Sequence, residues 1–261
     1  MNRYLRRISH GSISIRTQPL KYFSSKSDLF TSIKTGITTN SNSQIEHTQE
    51  YQSAYSRLLE GNKQYVSEKT TNNPNYFKDL SKTQTPKYLL IGCSDSRVPP
   101  NELTKTDPGE IFIHRNIANQ VLVSDLNCMS VIQFAVEVLK VEHIIVMGHT
   151  KCGGVIAANK NQHLGLIDQW LNNIRDVANL YRDDLSKSEN PDEFIKSLTE
   201  LNVKHQALNV CKTSFVQNAW KKGANLHVHG WICDIESGLI KDLTVTNEDW
   251  EKIKHTYSYK F

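Results

Sequence analysis

Two periodicities alternate along the chain from about residue 49 onward. Short apolar runs that stop at polar or glycine residues are typical of buried strands, and they lie at 87–92, 110–116, 143–148 and 225–235. Segments with apolar residues every three or four positions are typical of helices, and they lie at 50–66, 124–140, 152–160, 165–182 and 192–222. Strands that alternate with helices predict an α/β fold with a mostly parallel central sheet flanked by helices. We expect one such domain over residues 49–261.

The first 27 residues differ in composition from the rest of the chain. They contain many serines, no acidic residue, and the basic residues Arg3, Arg6, Arg7, Arg16, Lys21 and Lys26. This composition is typical of a mitochondrial transit peptide, and the alternative is a disordered basic tail. We expect a transit peptide at 1–27, a polar linker at 28–48 and a mature protein in the mitochondrial matrix, with the cytoplasm as the alternative location.

Overall composition indicates only a broad class of protein. The chain has 261 residues, of which 38% are hydrophobic and 22% charged, as in an ordinary soluble globule with a sizeable core. Its net charge of +4 is too small to indicate nucleic-acid binding. No apolar run approaches the roughly 20 residues that cross a bilayer. We therefore expect neither a nucleic-acid nor a membrane partner.

The five cysteines are an odd number, and nothing in the chain resembles a secretory signal. We therefore expect reduced thiols, with metal binding or catalysis as their special uses. Cys128, Cys211 and Cys233 lie inside apolar helix or strand patterns, which indicates that they are packing residues.

Two predicted strand ends carry residues suited to metal binding or catalysis. The segment "LLIGCSDSR" ends a strand with Cys93, Asp95 and Arg97, and "VMGHTKCGG" ends another with His149 and then Cys152. Ligands of open α/β sheets bind beyond the carboxyl ends of the strands, so the two segments should meet. Two thiolates and an imidazole suit zinc, with Asp95 as the nearest candidate for a fourth ligand. An open fourth position predicts water activation or Lewis-acid catalysis.

Single components of this pattern have ordinary explanations. A lone cysteine is more often a buried apolar residue. His227 and His229 share one face of a strand and are conceivable as a second metal pair, but a satisfied core or interface pair is favoured because no third ligand is near. A cysteine-phosphatase interpretation fails, because its phosphate loop resembles C-x5-R and Arg97 lies only four residues after Cys93.

Several longer segments carry a family resemblance. These are "CSDSR", "PGEIFIHRNIAN", "DLNCMSVIQFAVEVLKVEHIIVMGHTKCGG", "LGLIDQWL" and "HGW". In this order they resemble the β-class carbonic anhydrases, most closely bacterial-type members, over residues from about 50 to 257. The resemblance implies a β-carbonic anhydrase-like fold, a Zn²⁺ cofactor, and reversible hydration of carbon dioxide to bicarbonate and a proton by a zinc-bound hydroxide.

The resemblance also implies roles for individual residues. Cys93, His149 and Cys152 would hold the zinc, and Asp95 would be a fourth ligand in an inactive state. In the active state Arg97 would hold Asp95, which would accept a hydrogen bond from the hydroxide. The implied substrate-binding residues are Gln84, Phe112, Phe134, Gly153 and Gly154. Many members have tyrosine where this chain has Phe134, so one hydroxyl is missing here.

Assembly and regulation are implied in the same way. The family forms homodimers or dimers of dimers, which implies a homodimer or homotetramer. Some bacterial-type members bind regulatory bicarbonate with Trp, Arg and Tyr side chains. This chain keeps Arg115 but has Leu90 and Cys233 at the other two positions, so this regulation is not expected.

Two rival functions stay open from sequence. The same scaffold could hydrolyse carbonyl sulfide or carbon disulfide, a choice that depends on pocket shape. Alternatively, the protein could be an inactive zinc-binding regulator or redox sensor. The presence of Asp95, Arg97 and Gln84 argues against that second rival, because a purely structural metal site needs none of them.

Overall fold

The computed structural model describes residues 41–160, 162–244 and 247–260. The chain divides into two units at Asn72. The described part of the first unit is a single helix, α1 (Ser41–Asn72). The expected transit peptide, and residues 28–40 of the expected linker, lie outside the described residues.

Helix α1 begins earlier than the helical pattern predicted from about residue 50. It begins at Ser41, so residues 41–48 of the expected linker are helical. The helix contains no proline and a single glycine, so the two residue types that most disfavour a helix interior are nearly absent from it.

The second unit alternates strands and helices in the predicted order. Its strands are β1 (Tyr88–Cys93), β2 (Ile111–Asn116), β3 (His143–His149), β4 (His227–Cys233) and β5 (Ile240–Asp242). Its α-helices are α2 (Tyr76–Leu80), α3 (Pro100–Thr104), α4 (Leu126–Gln133), α5 (Gly153–Ala158), α6 (Ile167–Leu180), α7 (Arg182–Leu185), α8 (Pro191–Cys211), α9 (Ser214–Lys221) and α10 (Asn247–Tyr257). A 3-10 turn (Ile117–Asn119) follows β2, and a π-helical segment (Phe134–Leu139) continues α4. Among the described residues, no helix combines the length and apolar character of a membrane span.

The five strands form one sheet in the order β2-β1-β3-β4-β5. The first four are parallel to one another and β5 is antiparallel to β4. Strands β1 and β3 lie in the middle and are buried along nearly their whole length. Because both faces of these two strands are buried, their sequences are continuous apolar runs without alternating polar residues. The structure confirms the predicted α/β fold.

Successive residues of β1 pack into different apolar clusters. Leu89 and Ile91 share one cluster with residues of α4, α8 and β3. Leu90 lies in another, together with Ile145 and Cys233. Leu90 and Cys233 are thus buried apolar packing residues.

One predicted helix is interrupted. The pattern predicts a single helix over 192–222, but α8 ends at Cys211 and α9 begins at Ser214. Thr213 has extended backbone angles (φ −72°, ψ 141°), and its hydroxyl donates to the Val210 carbonyl at 2.7 Å. Such local side-chain bonds to the backbone compete with continuation of the helix. The apolar periodicity of the sequence continues across the break, although the helix itself is interrupted.

Gly148 lets β3 approach helix α8 closely. A Cβ atom at this position would lie 2.5 Å from Cγ2 of Val203 and 3.3 Å from Cδ1 of Ile232. Val203 is fully buried, and its branched side chain is restricted at χ1, so it cannot easily withdraw. The packing of α8 therefore fixes the backbone directly before His149.

We predict that Gly148→Ala destabilises the protein by about 1–3 kcal/mol, the usual range for overpacking a core. The measurement is chemical denaturation followed by circular dichroism. Gly153→Ala is the matched control, because a Cβ there meets nothing within 4 Å, and it should change stability by no more than about 0.5 kcal/mol. Equal stability of the two variants would contradict the close packing of β3 on α8.

Candidate metal centre

Three metal-ligating side chains meet at the carboxyl end of the sheet. Cys93 is the last residue of β1, His149 is the last residue of β3, and Cys152 directly precedes α5. Their ligand atoms all lie within 4.8 Å of one another, and the two sulfur atoms are 3.9 Å apart. The pairing of β1 with β3 brings these residues together, as the strand-end argument predicts.

The imidazole of His149 has one ring nitrogen bonded and the other without a partner. Nδ1 donates to the Thr150 carbonyl at 2.9 Å, which leaves Nε2 as the unprotonated nitrogen of the neutral ring. His149 is fully buried, and Nε2 has no hydrogen-bond partner within the described part of the chain. Buried polar atoms rarely remain unpaired. A cation between Nε2 and the two sulfur atoms would supply the missing partner.

The thiols of Cys93 and Cys152 titrate as a pair. Hydrogen bonding with Cys152, opposed by burial, lowers the pKa of Cys93 to about 4. The same hydrogen bond, together with burial, raises the pKa of Cys152. The Ala118 backbone N–H also donates to Cys93 Sγ, at 3.4 Å. The protein alone thus favours one thiolate and one thiol, and a divalent cation would stabilise the second thiolate.

The carboxylate of Asp95 lies beside this cluster and is bound by Arg97. The Arg97 side chain donates from Nε to Oδ1 at 2.9 Å and from a terminal nitrogen to Oδ2 at 2.7 Å. The Arg97 backbone N–H adds a third bond to Oδ1 at 3.0 Å. These bonds hold the pKa of Asp95 well below its usual range. Oδ2 also lies 3.6 Å from His149 Nε2, so an ionised carboxylate borders the candidate metal position.

Arg115 fixes the backbone of the segment that carries Cys93 and Asp95. From β2, its guanidinium donates to the carbonyls of Cys93 at 2.8 Å, Asp95 at 2.6 Å and Val98 at 3.1 Å. The family resemblance connects Arg115 only with the regulatory bicarbonate site. Its supporting role depends on the pairing of β1 with β2, which a single sequence does not reveal.

Two of the predicted substrate-binding residues pack against each other. The rings of Phe112 and Phe134 have centroids 5.9 Å apart, and Phe134 is 43% exposed. Gln84 is exposed on the segment before β1. The structure therefore brings the two aromatic residues together.

The two predicted glycines differ in their surroundings. A Cβ at Gly154 would lie 2.9 Å from Cγ2 of Ile117 and 3.1 Å from Cβ of Ala118. Gly154 therefore allows α5 to approach the turn that holds the Ala118 N–H against Cys93. A Cβ at Gly153 would meet nothing within 4 Å. Close approach explains Gly154 and does not explain Gly153.

A second cluster of potential ligands, missed by the sequence reasoning, consists of His114, Asp125 and Cys128. Its side chains already have partners. Asp125 accepts a backbone N–H at the start of α4, the Cys128 thiol donates to a carbonyl, and His114 shares a hydrogen bond with the Asn116 amide. Burial raises the pKa of Cys128 to about 12. The three side chains therefore form a hydrogen-bonded core cluster. Among the described residues, His149 differs from them because its Nε2 has no hydrogen-bond partner.

Three other histidines and three other cysteines lie outside the candidate metal centre. His143 Nδ1 and His229 Nε2 are 3.0 Å apart, and His227 Nε2 lies 2.9 Å from Asn225 Oδ1. Among the described residues, His227 and His229 lie outside the metal-type clusters, in agreement with the favoured interpretation. All five cysteines are free and buried. The predicted packing cysteines, each no more than 3% exposed, are Cys128, Cys211 and Cys233.

Comparisons with known proteins identify the family. A family model described as carbonic anhydrase matches residues 88–240. A carbonic anhydrase of Emericella nidulans is 44% identical over 198 residues, which cover 76% of this chain and 87% of that protein.

Two solved structures are also similar. The β-carbonic anhydrase CafA of Aspergillus fumigatus is 36% identical with a TM-score of 0.74, and the match covers 79% of this chain and all of that one. One of the tetrameric β-carbonic anhydrases of Sordaria macrospora is 33% identical with a TM-score of 0.70, covering 74% of this chain and 98% of that one. The chain therefore belongs to the β-carbonic anhydrase family, whose activity is the hydration of carbon dioxide.

Proposed function

We propose that the chain hydrates carbon dioxide with a zinc ion held by Cys93, His149 and Cys152. The observation that carries the proposal is the buried Nε2 of His149, which lies in one cluster with two cysteine sulfur atoms and, among the described residues, has no partner with hydrogen-bond geometry. Two thiolates and one imidazole suit zinc, and three protein ligands leave one position for water or substrate. When bound, zinc supplies the Lewis acidity that, as is established for carbonic anhydrases generally, makes water a nucleophile near neutral pH.

The chain's own residues orient the reaction. Asp95, kept ionised by Arg97, accepts a hydrogen bond from the attacking water and directs a lone pair of that water toward the substrate carbon. A carboxylate oxygen has more than one lone pair, so Asp95 can bind Arg97 and the water together. When Arg97 does not hold it, Asp95 is the candidate for the fourth metal ligand, since Oδ2 is only 3.6 Å from His149 Nε2.

The family resemblance implies a substrate pocket formed by aromatic side chains, glycine backbone and one glutamine. Phe112 and Phe134 supply a paired aromatic surface suited to a small apolar molecule. Gly153 and Gly154 supply backbone at the start of α5, directly after Cys152. Gln84, exposed on the segment before β1, is the remaining member of this implied set.

The proposed assembly is a homodimer or a homotetramer. Strand β2 is an edge of the sheet and exposes Ile113, which is 36% accessible. Leu126 is 77% and Val138 is 61% exposed on α4 and the π-helical segment. Exposed apolar residues favour burial against another subunit, and the Sordaria macrospora relatives are tetrameric.

The first test addresses the ligand set. The wild-type protein should contain one zinc per chain, and Cys152→Ala should lose most of it, because only two firm ligands remain. Zinc content is measured by plasma mass spectrometry after dialysis, with circular dichroism as a check on folding. Cys211→Ala is the matched control, a buried cysteine outside the cluster, and should keep its zinc. Full zinc in an active Cys152→Ala variant would remove Cys152 from the ligand set.

The second test addresses Asp95 and Arg97. Arg97→Ala should keep zinc but lose carbon dioxide hydration by a factor on the order of 100, the scale of losing a positioned catalytic group. The measurement is stopped-flow hydration at fixed pH, with carbonyl sulfide hydrolysis measured alongside as the rival activity. Arg182→Ala removes a comparable exposed arginine, paired with Asp183, and should have no effect. A folded, zinc-replete and active Arg97→Ala protein would reduce the pair to a surface salt bridge.

We also propose that residues 1–27 direct the protein to the mitochondrial matrix and are then removed. Their basic, serine-rich and acid-poor composition supports this. Deleting them should leave carbon dioxide hydration unchanged and move the protein to the cytosol, as followed by cell fractionation against the full-length chain. Mitochondrial import that survives the deletion would contradict the proposal.

A further inference from the structure

The turn between His149 and Cys152 carries two of the proposed zinc ligands and is locally strained. Lys151, in the middle of this turn, has φ +56°, a left-handed conformation that non-glycine residues seldom adopt. A strained conformation persists where surrounding contacts hold it. The contacts that hold this turn therefore bear on the geometry of both ligands.

Thr150 anchors the turn to the end of β4 and the loop that follows it. Its hydroxyl donates to Asp234 Oδ1 at 2.9 Å and accepts the Ile235 N–H at 3.0 Å. Its own backbone N–H donates to the Cys233 carbonyl at 3.0 Å. Thr150 and Asp234 are 84 residues apart in sequence, so their bond joins two distant segments.

Asp234 is itself held in place. Its Oδ2 accepts a hydrogen bond from the Ser237 hydroxyl at 2.7 Å, and its backbone N–H donates to the Leu239 carbonyl at 2.9 Å. These bonds close the loop between β4 and β5 around the carboxylate. Asp234 is therefore a fixed acceptor for the Thr150 hydroxyl, and not a mobile surface side chain.

The anchored residue also orients the imidazole. His149 Nδ1 donates to the carbonyl of Thr150 at 2.9 Å, so the direction of that carbonyl sets the plane of the ring and the direction of Nε2. We propose that Thr150 and Asp234 are positioning residues, whose hydrogen bond holds the Thr150 carbonyl so that His149 Nε2 points at the sulfur atoms of Cys93 and Cys152. This inference rests on the proposed ligand set.

A neighbouring ion pair provides a contrast. Lys151 and Glu236 also join the turn to the same loop, but their side chains are 60% and 71% exposed. Exposed ion pairs are screened by solvent and contribute little. Thr150 and Ile235 are partly buried where they meet. The positioning role therefore belongs to the bond between Thr150 and Asp234, and the Lys151 pair serves as an internal control.

The test measures the loss of zinc from the intact holoenzyme to an excess of a chromogenic chelator at constant pH. Thr150→Val has nearly the same shape but cannot donate to Asp234, and we expect it to release zinc about 10- to 100-fold faster, the range for losing a supporting hydrogen bond of a metal ligand. Thr150→Ser keeps the hydroxyl and should release zinc at the wild-type rate. Glu236→Gln, the control at the exposed pair, should also match the wild type.

A second readout separates positioning from general stability. In the cobalt-substituted protein, Thr150→Val should shift the visible absorption bands, which report ligand geometry, and Thr150→Ser should not. Thr150→Ala provides the same comparison if valine prevents folding. Asp234→Ala should accelerate zinc loss similarly, and combining it with Thr150→Val should add little further, since the two residues act through one bond.

The outcomes distinguish this inference from the proposed function. A wild-type protein that binds no zinc would overturn the ligand set. If the wild type binds zinc but the folded Thr150→Val and Thr150→Ala proteins retain its zinc-release rate and cobalt spectrum, the positioning role is wrong and the ligand set stands. Faster release by Glu236→Gln to the same extent would assign the effect to the whole loop, and would likewise overturn the specific role of Thr150 and Asp234.

Discussion

The parallel pairing of β1 with β3 is the constraint on which the candidate site depends. Gly92 lies opposite Met147 in this pairing, so the two strands end together with Cys93 and His149 at one edge. The same register places Leu89 and Ile91 in one apolar cluster and Leu90 in another. A slip of one residue would exchange the faces of these side chains. The energy that keeps the core in register therefore also keeps the metal ligands together.

Charge balance explains why this cluster suits a divalent cation. Two thiolates buried side by side would repel each other in surroundings that already disfavour charge. The protein without a cation favours one thiolate, on Cys93, and one thiol, on Cys152. Zn²⁺ would carry a charge equal and opposite to that of two thiolates, so its binding and the release of a thiol proton are coupled. Asp95 adds a further negative charge at the border, which Arg97 offsets from the solvent side.

The sequence was sufficient for the parts of the molecule that follow from periodicity and from strand ends. Burial on both faces makes β1 and β3 recognisable as apolar runs, and their carboxyl ends locate Cys93 and His149 without any structure. The catalytic roles proposed for Asp95 and Arg97 rest on the family resemblance. Contacts between distant segments could not be predicted, because Arg115 and Asp234 act through strand register and a loop conformation that leave no local pattern. The hydrogen bond from the Thr213 hydroxyl to the Val210 carbonyl, which accompanies the helix break, was also not predicted from the sequence.

The site joins rigid ligands to a carboxylate that is less constrained. Cys93, His149 and Cys152 are at most 7% exposed, and their backbones are tied to Arg115 and to the loop around Asp234. The side chain of Asp95, in contrast, is bonded within its own segment to Arg97, whose side chain is 51% exposed. Solvent competes for the bonds of an exposed guanidinium, so the pair of Asp95 and Arg97 is held less by burial than the three ligands are. The strands β1 and β3 and the turn before α5 thus place the three candidate ligands, and the solvent-facing pair places an ionised carboxylate beside them.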